Sequence, residues 1–300
     1  MKCTVLAAVL LGAAGAVCAQ GRDNPPAAGQ GDPVAGLVQA MQAAEAKLRS
    51  AVIEMSTRGV LPGGEEVTTR GSLRVLRGEQ SAVHARFQFE FGSGIRGRSE
   101  SVQTKAGIVL FEDDPALGET FVQIDPKIVA DLEWAGAVLQ RDDLPGMPPL
   151  AAGDAPERRA SAPLGSALLA AMQRQFDLKV DARTERGGEP GRWLTGRRRG
   201  GVGSDAADAP VADAVSLFVR TADLALLELE LRQGDAVLQR LVVDRLVVDP
   251  PLEPSSFVID VPRQRPRPVQ QVPPLWEAIE QAVRRAEAKS PDGVVRPSRR

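Results

Sequence analysis

The sequence predicts an α+β protein in which one strongly curved, mainly antiparallel sheet wraps around helices. Three observations predict it. Apolar and polar residues alternate over many short runs, as in strands that turn one face to a core. Two segments instead repeat apolar residues every three to four positions, as core-facing helices do. Few helical segments separate the strands, so parallel crossovers are scarce and a single sheet folded over its helices buries the apolar faces most simply.

The chain begins with Met1-Lys2, the apolar run VLAAVLLGAAGAV and the compact residues Val17-Cys18-Ala19. That order reads as an export signal over residues 1–19, cut after Ala19. The run is shorter than the roughly 20 residues of a membrane span. Lipid anchoring through Cys18 is the rival reading, though Val17 is bulkier than the residue a lipoprotein signal places there. Both cysteines, Cys3 and Cys18, fall inside the signal. The mature chain therefore has no thiol for a disulfide, a metal site or a nucleophile. Residues 20–32 form a flexible Gly/Pro-rich leader.

Asp32-Pro33 is a helix start, a capping carboxylate followed by a proline whose missing donor costs nothing in the first turn. Leu37, Met41, Ala44 and Leu48 give that helix its apolar stripe. After Ser50 the period becomes two through Ile53, Met55 and Thr57, and strands follow around Leu73 and Val75. VHARFQFEF is the cleanest strand. Val83, Ala85, Phe87, Phe89 and Phe91 share one face, and His84, Arg86, Gln88 and Glu90 form the wet one. Strands IVLFED and FVQID come next, then a helix over residues 126–139, a Pro/Gly/Ala-rich loop (141–163) and a helix over residues 164–176. A short strand LKV precedes a Gly-rich charged stretch (182–211) in which WLT pairs with the sheet. Four strands close the domain: VSLFVR, ALLELEL, the long VLQRLVVDRLVV, and FVIDV. The domain spans residues 33–262. Beyond it, residues 263–300 form a basic Pro/Arg-rich tail with nine Arg or Lys against four acids and a short amphipathic helix over residues 275–288.

Candidate chemistry is sparse. Gly92, Gly94 and Gly97 spell the dinucleotide fingerprint G-x-G-x-x-G, but a half-wet strand precedes them and no apolar helix follows, so they read as a hairpin connection and no cofactor is expected. His84, the chain's one histidine, has no evident partners and reads as a surface residue. The acid pairs Asp113-Asp114 and Asp142-Asp143 sit on turns rather than across a cleft. No metal motif, nucleophile elbow or phosphate loop occurs, and the chain reads as non-enzymatic. A net charge of −2 and few aromatics exclude general nucleic-acid binding. Arg197, Arg198 and Arg199 read as a solvated loop, or as a contact for anionic lipid or an acidic partner. Leu73, Val75, Val83, Phe87, Phe89, Phe91, Leu168, Met172, Leu227, Leu229 and Leu231 are the candidate lining of an apolar cavity between sheet and helices. Their periodicity fits a packed core equally well.

The order of elements resembles the LolA/LolB-like superfamily of outer-membrane lipoprotein carrier and sorting proteins. The resemblance is carried by the exported N-terminus, the Leu37–Leu48 helix running into IEMSTRG, the strands GSLRVLRGE and HARFQFEF, and the ending LELELRQGDAVLQRLVVDRLVVDPPLEPSSFVIDVP. It implies an unclosed barrel lidded by helices, which accepts the acyl chains of lipoproteins or other lipid without catalysis. It also implies membrane-associated donor and acceptor proteins, a periplasmic location and a monomer. Arg70 or Arg74 stands where the family places an arginine that holds the lid. Scarce aromatics, the two inserts and the tail mark a divergent member. A periplasmic interaction or envelope-sensing module without bound lipid is the alternative on the same scaffold.

Overall fold

In the computed structural model, the described residues are 32–61, 64–115, 118–127, 163–199, 212–261 and 265–269. The export signal, Cys18 and almost all of the leader lie outside them. So do residues 128–139 of the expected helix, the 141–163 loop up to residue 162, residues 200–211 and the tail helix.

Helix α1 (Pro33–Glu45) begins as its sequence requires: Asp32 Oδ1 accepts the Val34 amide at 2.9 Å and Pro33 occupies the first turn. Its stripe of Val34, Leu37, Val38 and Met41 is buried. Six strands follow as a meander, β1 (Ser50–Val60), β2 (Glu66–Leu76), β3 (Ala82–Phe91), β4 (Arg96–Thr104), β5 (Gly107–Asp114) and β6 (Gly118–Ile124). Each pairs antiparallel with the next. Helix α2 (Ser166–Gln175) leads into β7 (Phe176–Val180), the two-residue β8 (Glu185–Arg186), β9 (Glu189–Arg198), β10 (Ala214–Arg220), β11 (Leu226–Gln233) and β12 (Ala236–Val248). WLT thus lies inside β9.

The two halves join where β12 pairs antiparallel with β1. A last strand, β13 (Arg267–Val269), lies parallel to β6, so the sheet is mixed. The strand order is β13-β6-β5-β4-β3-β2-β1-β12-β11-β10-β9-β7, with β8 attached to β9.

The expected strongly curved, unclosed barrel is not what forms. The sheet is not strongly curled, and it stays open with β7 and β13 at its edges. The reason is that its two ends are packed on opposite faces. A single cross-strand row, Leu194–Leu217–Leu229–Leu241–Thr57–Thr69–Phe89, identifies the helix-side face from β9 to β3. There α1 and α2 bury Met41, Leu169, Met172, Leu194, Leu217 and Leu229 together. At the other end, Ala82, Val102 and Phe111 point to the far face, where Phe257 and Ile259 cover them. A sheet with cores on both faces has no single interior to curl around. It wraps only partly around α1 and α2.

The covering segment, residues 250–261, was expected to end in a strand at FVIDV. It contains instead a 3-10 turn (Pro254–Ser256), then Phe257 and Ile259 inward with Val258 62% exposed.

Candidate functional site

On the helix-side face of β1–β5, two rows are fixed by register: Met55–Gly71–Phe87–Ser99–Glu112 and Ile53–Leu73–Ala85–Ser101–Leu110. The glycines decide the shape of this face. A Cβ on Gly71 would overlap the Phe87 ring, and one on Gly97 would overlap the Phe89 ring. Each ring therefore lies down over its cross-strand glycine, an arrangement that rescues the missing side chain. The result is a low apolar floor in which Met55, Leu73, Phe87 and Leu110 are only half-buried.

The eleven residues expected to line one cavity divide among several places. Leu73, Val83 and Phe87 belong to the half-covered floor, with Val75 buried beside them. Phe89 and Phe91 are buried against Val67, their rings edge to face at 5.8 Å. Leu168, Met172, Leu229 and Leu231 pack in the core under the helices. Leu227 packs separately with Leu164, Phe218 and Ala225. Arg70 is exposed, whereas Arg74 turns to the far face and donates from Nη1 to the Ser256 carbonyl at 3.4 Å.

That carbonyl belongs to a cluster which sequence reasoning missed. His84 is buried rather than wet, because residues 250–261 cross the far face above it. Its Nδ1 lies 2.9 Å from the Ser256 carbonyl oxygen and its Nε2 lies 2.8 Å from Glu100 Oε1. Both partners are acceptors, so both contacts are satisfied together when the ring carries two protons. Arg86 Nη2 donates to the same Glu100 oxygen at 2.7 Å. Burial pushes the Glu100 carboxyl upward, but the hydrogen bonds from Arg86 and His84 and their positive charge outweigh it, leaving the group below the ordinary glutamate value. Glu112, on the floor, moves the other way: burial and the neighbouring Asp114 raise it. The cluster ties residues 250–261 to the sheet.

A groove of about 740 Å³ crosses the far face of β7 and β9–β12, with Lys179, Trp193, Thr195, Ser216, Glu230 and Arg240 among its lining. Sequence reasoning singled out one of its members, Arg197, within the arginine cluster. Arg197 and Arg198 end β9, and Arg199 donates from Nε to the Phe176 carbonyl at 3.2 Å. Among the described residues, no group of three His, Cys, Asp or Glu side chains could hold a metal ion, and no helix is long and apolar enough to cross a membrane.

No family model and no curated protein matches the chain. Solved structures give distant likenesses. One is a domain assigned to outer membrane lipoprotein sorting from Vibrio parahaemolyticus, 11% identical, covering 74% of this chain and 94% of that one at a TM-score of 0.28. Another is MucB, 12% identical, covering 76% of this chain and 62% of MucB at a TM-score of 0.40. A third is an uncharacterized conserved protein from Thermus thermophilus, 13% identical, covering 79% of this chain and 96% of that one at a TM-score of 0.36. These are likenesses at a great distance and establish no activity for this chain.

Proposed function

We propose that the chain is an exported, non-enzymatic binding protein that carries acyl chains of lipoproteins or related lipids on the helix-side face of β1–β5. The observation that carries this reading is the half-covered apolar floor made by Phe87 lying over Gly71, continued by Met55, Leu73 and Leu110. Five strands at a spacing of about 4.8 Å give a face about 19 Å across, comparable to an extended fatty acyl chain, with Ser99 and Ser101 of β4 and Glu112 of β5 as its polar positions. Apolar surface left partly open is where a flexible apolar ligand gains most from leaving water. The site is a half-covered face of the sheet, with Ile53, Ala85, Ser99 and Ser101 buried within it. Residues 33–262 form the binding domain, residues 1–19 direct export to the periplasm, and membrane-associated proteins supply and accept the cargo.

The test is extraction of the purified protein followed by lipid mass spectrometry, together with uptake of a fluorescent fatty acid. Co-purified acyl species and saturable uptake are expected. Leu73→Asp should abolish uptake while circular dichroism still reports a folded sheet. Absence of acyl species in repeated preparations, with no uptake, overturns the carrier reading. The half-buried apolar side chains of the floor favour a second reading in that event, an envelope-sensing module that docks an apolar segment of another protein there.

A further inference from the structure

The far face offers a surface that acyl binding leaves unused. Its floor is a register row, Lys179–Thr195–Ser216–Glu230–Arg240, running across β7, β9, β10, β11 and β12. Every cation lining this groove already has a carboxylate. Lys179 faces Asp177 at 3.8 Å, Arg183 faces Asp181 at 3.1 Å, and Arg197 faces Asp213 at 3.9 Å. Arg232 faces Glu230 at 2.5 Å and Arg240 faces Glu228 at 2.8 Å. Glu228, itself buried, is held from its other oxygen by Arg186 at 2.5 Å. An anionic ligand would have to displace one of these carboxylates or lie beside it, which like charge opposes.

Neutral polar groups remain at the centre. The hydroxyls of Thr195 and Ser216, direct cross-strand partners, enter no hydrogen bond among the described residues. Each can donate and accept. At one end stands Trp193, whose indole Nε1 donates to the Glu185 carbonyl at 2.8 Å and whose ring rests 5.2 Å from that of Phe218. The Arg183 guanidinium lies 4.5 Å over the indole, so the wall is a fixed aromatic body continued by a plane of donors.

We propose that this groove binds a short neutral glycan. Vicinal sugar hydroxyls match paired carboxylates and guanidinium groups that present acceptors and donors side by side, and they pair with the two free hydroxyls of the floor. The Arg183 guanidinium covers the indole face, so a sugar at this end meets that plane of donors and the indole edge. The volume of about 740 Å³ falls within the roughly 300–1,000 Å³ of small-molecule sites. An uncharged ligand leaves each lining cation with the carboxylate it already faces.

The experiment is calorimetric titration of the full chain with chitotriose, cellotriose and maltotriose, with inorganic phosphate as the counter-probe. Saturable binding of at least one trisaccharide is expected. The double substitution Thr195→Val and Ser216→Ala should weaken it by about tenfold or more, the scale of one or two lost hydrogen bonds. Its thermal midpoint and its fatty-acid uptake should match those of the parent, which separates this site from the acyl-binding floor. Failure of all three sugars to bind, binding of phosphate in their place, or an unweakened double variant overturns the proposal.

Discussion

The three glycines of the G-x-G-x-x-G run stand in three different surroundings. A Cβ on Gly92 would make ordinary van der Waals contact with Glu66, whose carbonyl oxygen would lie 3.6 Å away. Gly94 holds φ at 81° in the β3–β4 turn. Gly97 lies under the Phe89 ring, and a Cβ there would stand 2.8 Å from the Asp113 carbonyl oxygen. Denaturant melts should rank the alanine variants accordingly. Gly92→Ala should be near neutral, Gly94→Ala should lose about 1–2 kcal/mol to left-handed strain, and Gly97→Ala should lose about 1–3 kcal/mol to overpacking. Two carboxylates should give opposite pH signatures. Glu100 titrates below its ordinary value, so the stability it adds is present above the unfolded carboxylate range and is lost as pH falls through its lowered folded value. Glu112 titrates above its ordinary value, so it destabilises as pH rises from the unfolded range through its raised folded value. Urea melts across a pH series should show Glu100→Gln flattening the acid limb and Glu112→Gln stabilising the neutral one. The glycine motif and the phenylalanine face were legible in sequence because turn chemistry and alternation are local. The burial of His84 was not, since the groups that bury it lie 172 positions away at Ser256.

Among the elements, the helices show how one end can serve another. Helix α2 has no side-chain cap of its own, since Gly165 at φ 84° precedes it. Glu45, at the end of α1, supplies the acceptor: Oε1 takes the amides of Leu164 at 2.9 Å and Ser166 at 3.1 Å, and Oε2 takes the Ser166 hydroxyl. The carboxylate also complements the positive end of α2. Glu45→Ala strands two buried amides and a buried hydroxyl and should cost about 2–4 kcal/mol, seen as a lower midpoint in thermal melts. Both helices were readable from their 3.6-residue period and from Asp32-Pro33, but not the cap, because no local motif announces a carboxylate 121 residues distant. FVIDV explains the opposite kind of error. Its alternation is real, with Phe257 and Ile259 buried and Val258 exposed, yet the segment lies upon a sheet face instead of within the sheet. Period two reports an extended chain with one dry side and is silent on where its backbone hydrogen bonds go.

At the scale of the molecule, the antiparallel meanders were legible and the overall curvature was not. Each hairpin is announced by its turn and its alternation. Which faces receive a cover depends on segments that return from elsewhere in the chain. The helix-side assignment of the β3 phenylalanines can be checked directly. Phe89 is 6% exposed, and Phe89→Asp places an unpaired charge there, for an expected loss of about 3–5 kcal/mol. A melting midpoint equal to that of the parent would refute the facing.

The seam between β1 and β12 carries a consequence for how the chain comes to be folded. Asp249, at φ 50°, accepts the amides of Arg49 at 2.7 Å and Ser50 at 3.0 Å, and Ala51 pairs with Val248. Some two hundred residues must emerge before that clasp closes, and until then one long flank of the first strand stands open to any other extended polypeptide. A chain emerging N-terminus first would spend most of its emergence in that exposed condition, so a holding chaperone should matter more to its yield than to its final stability.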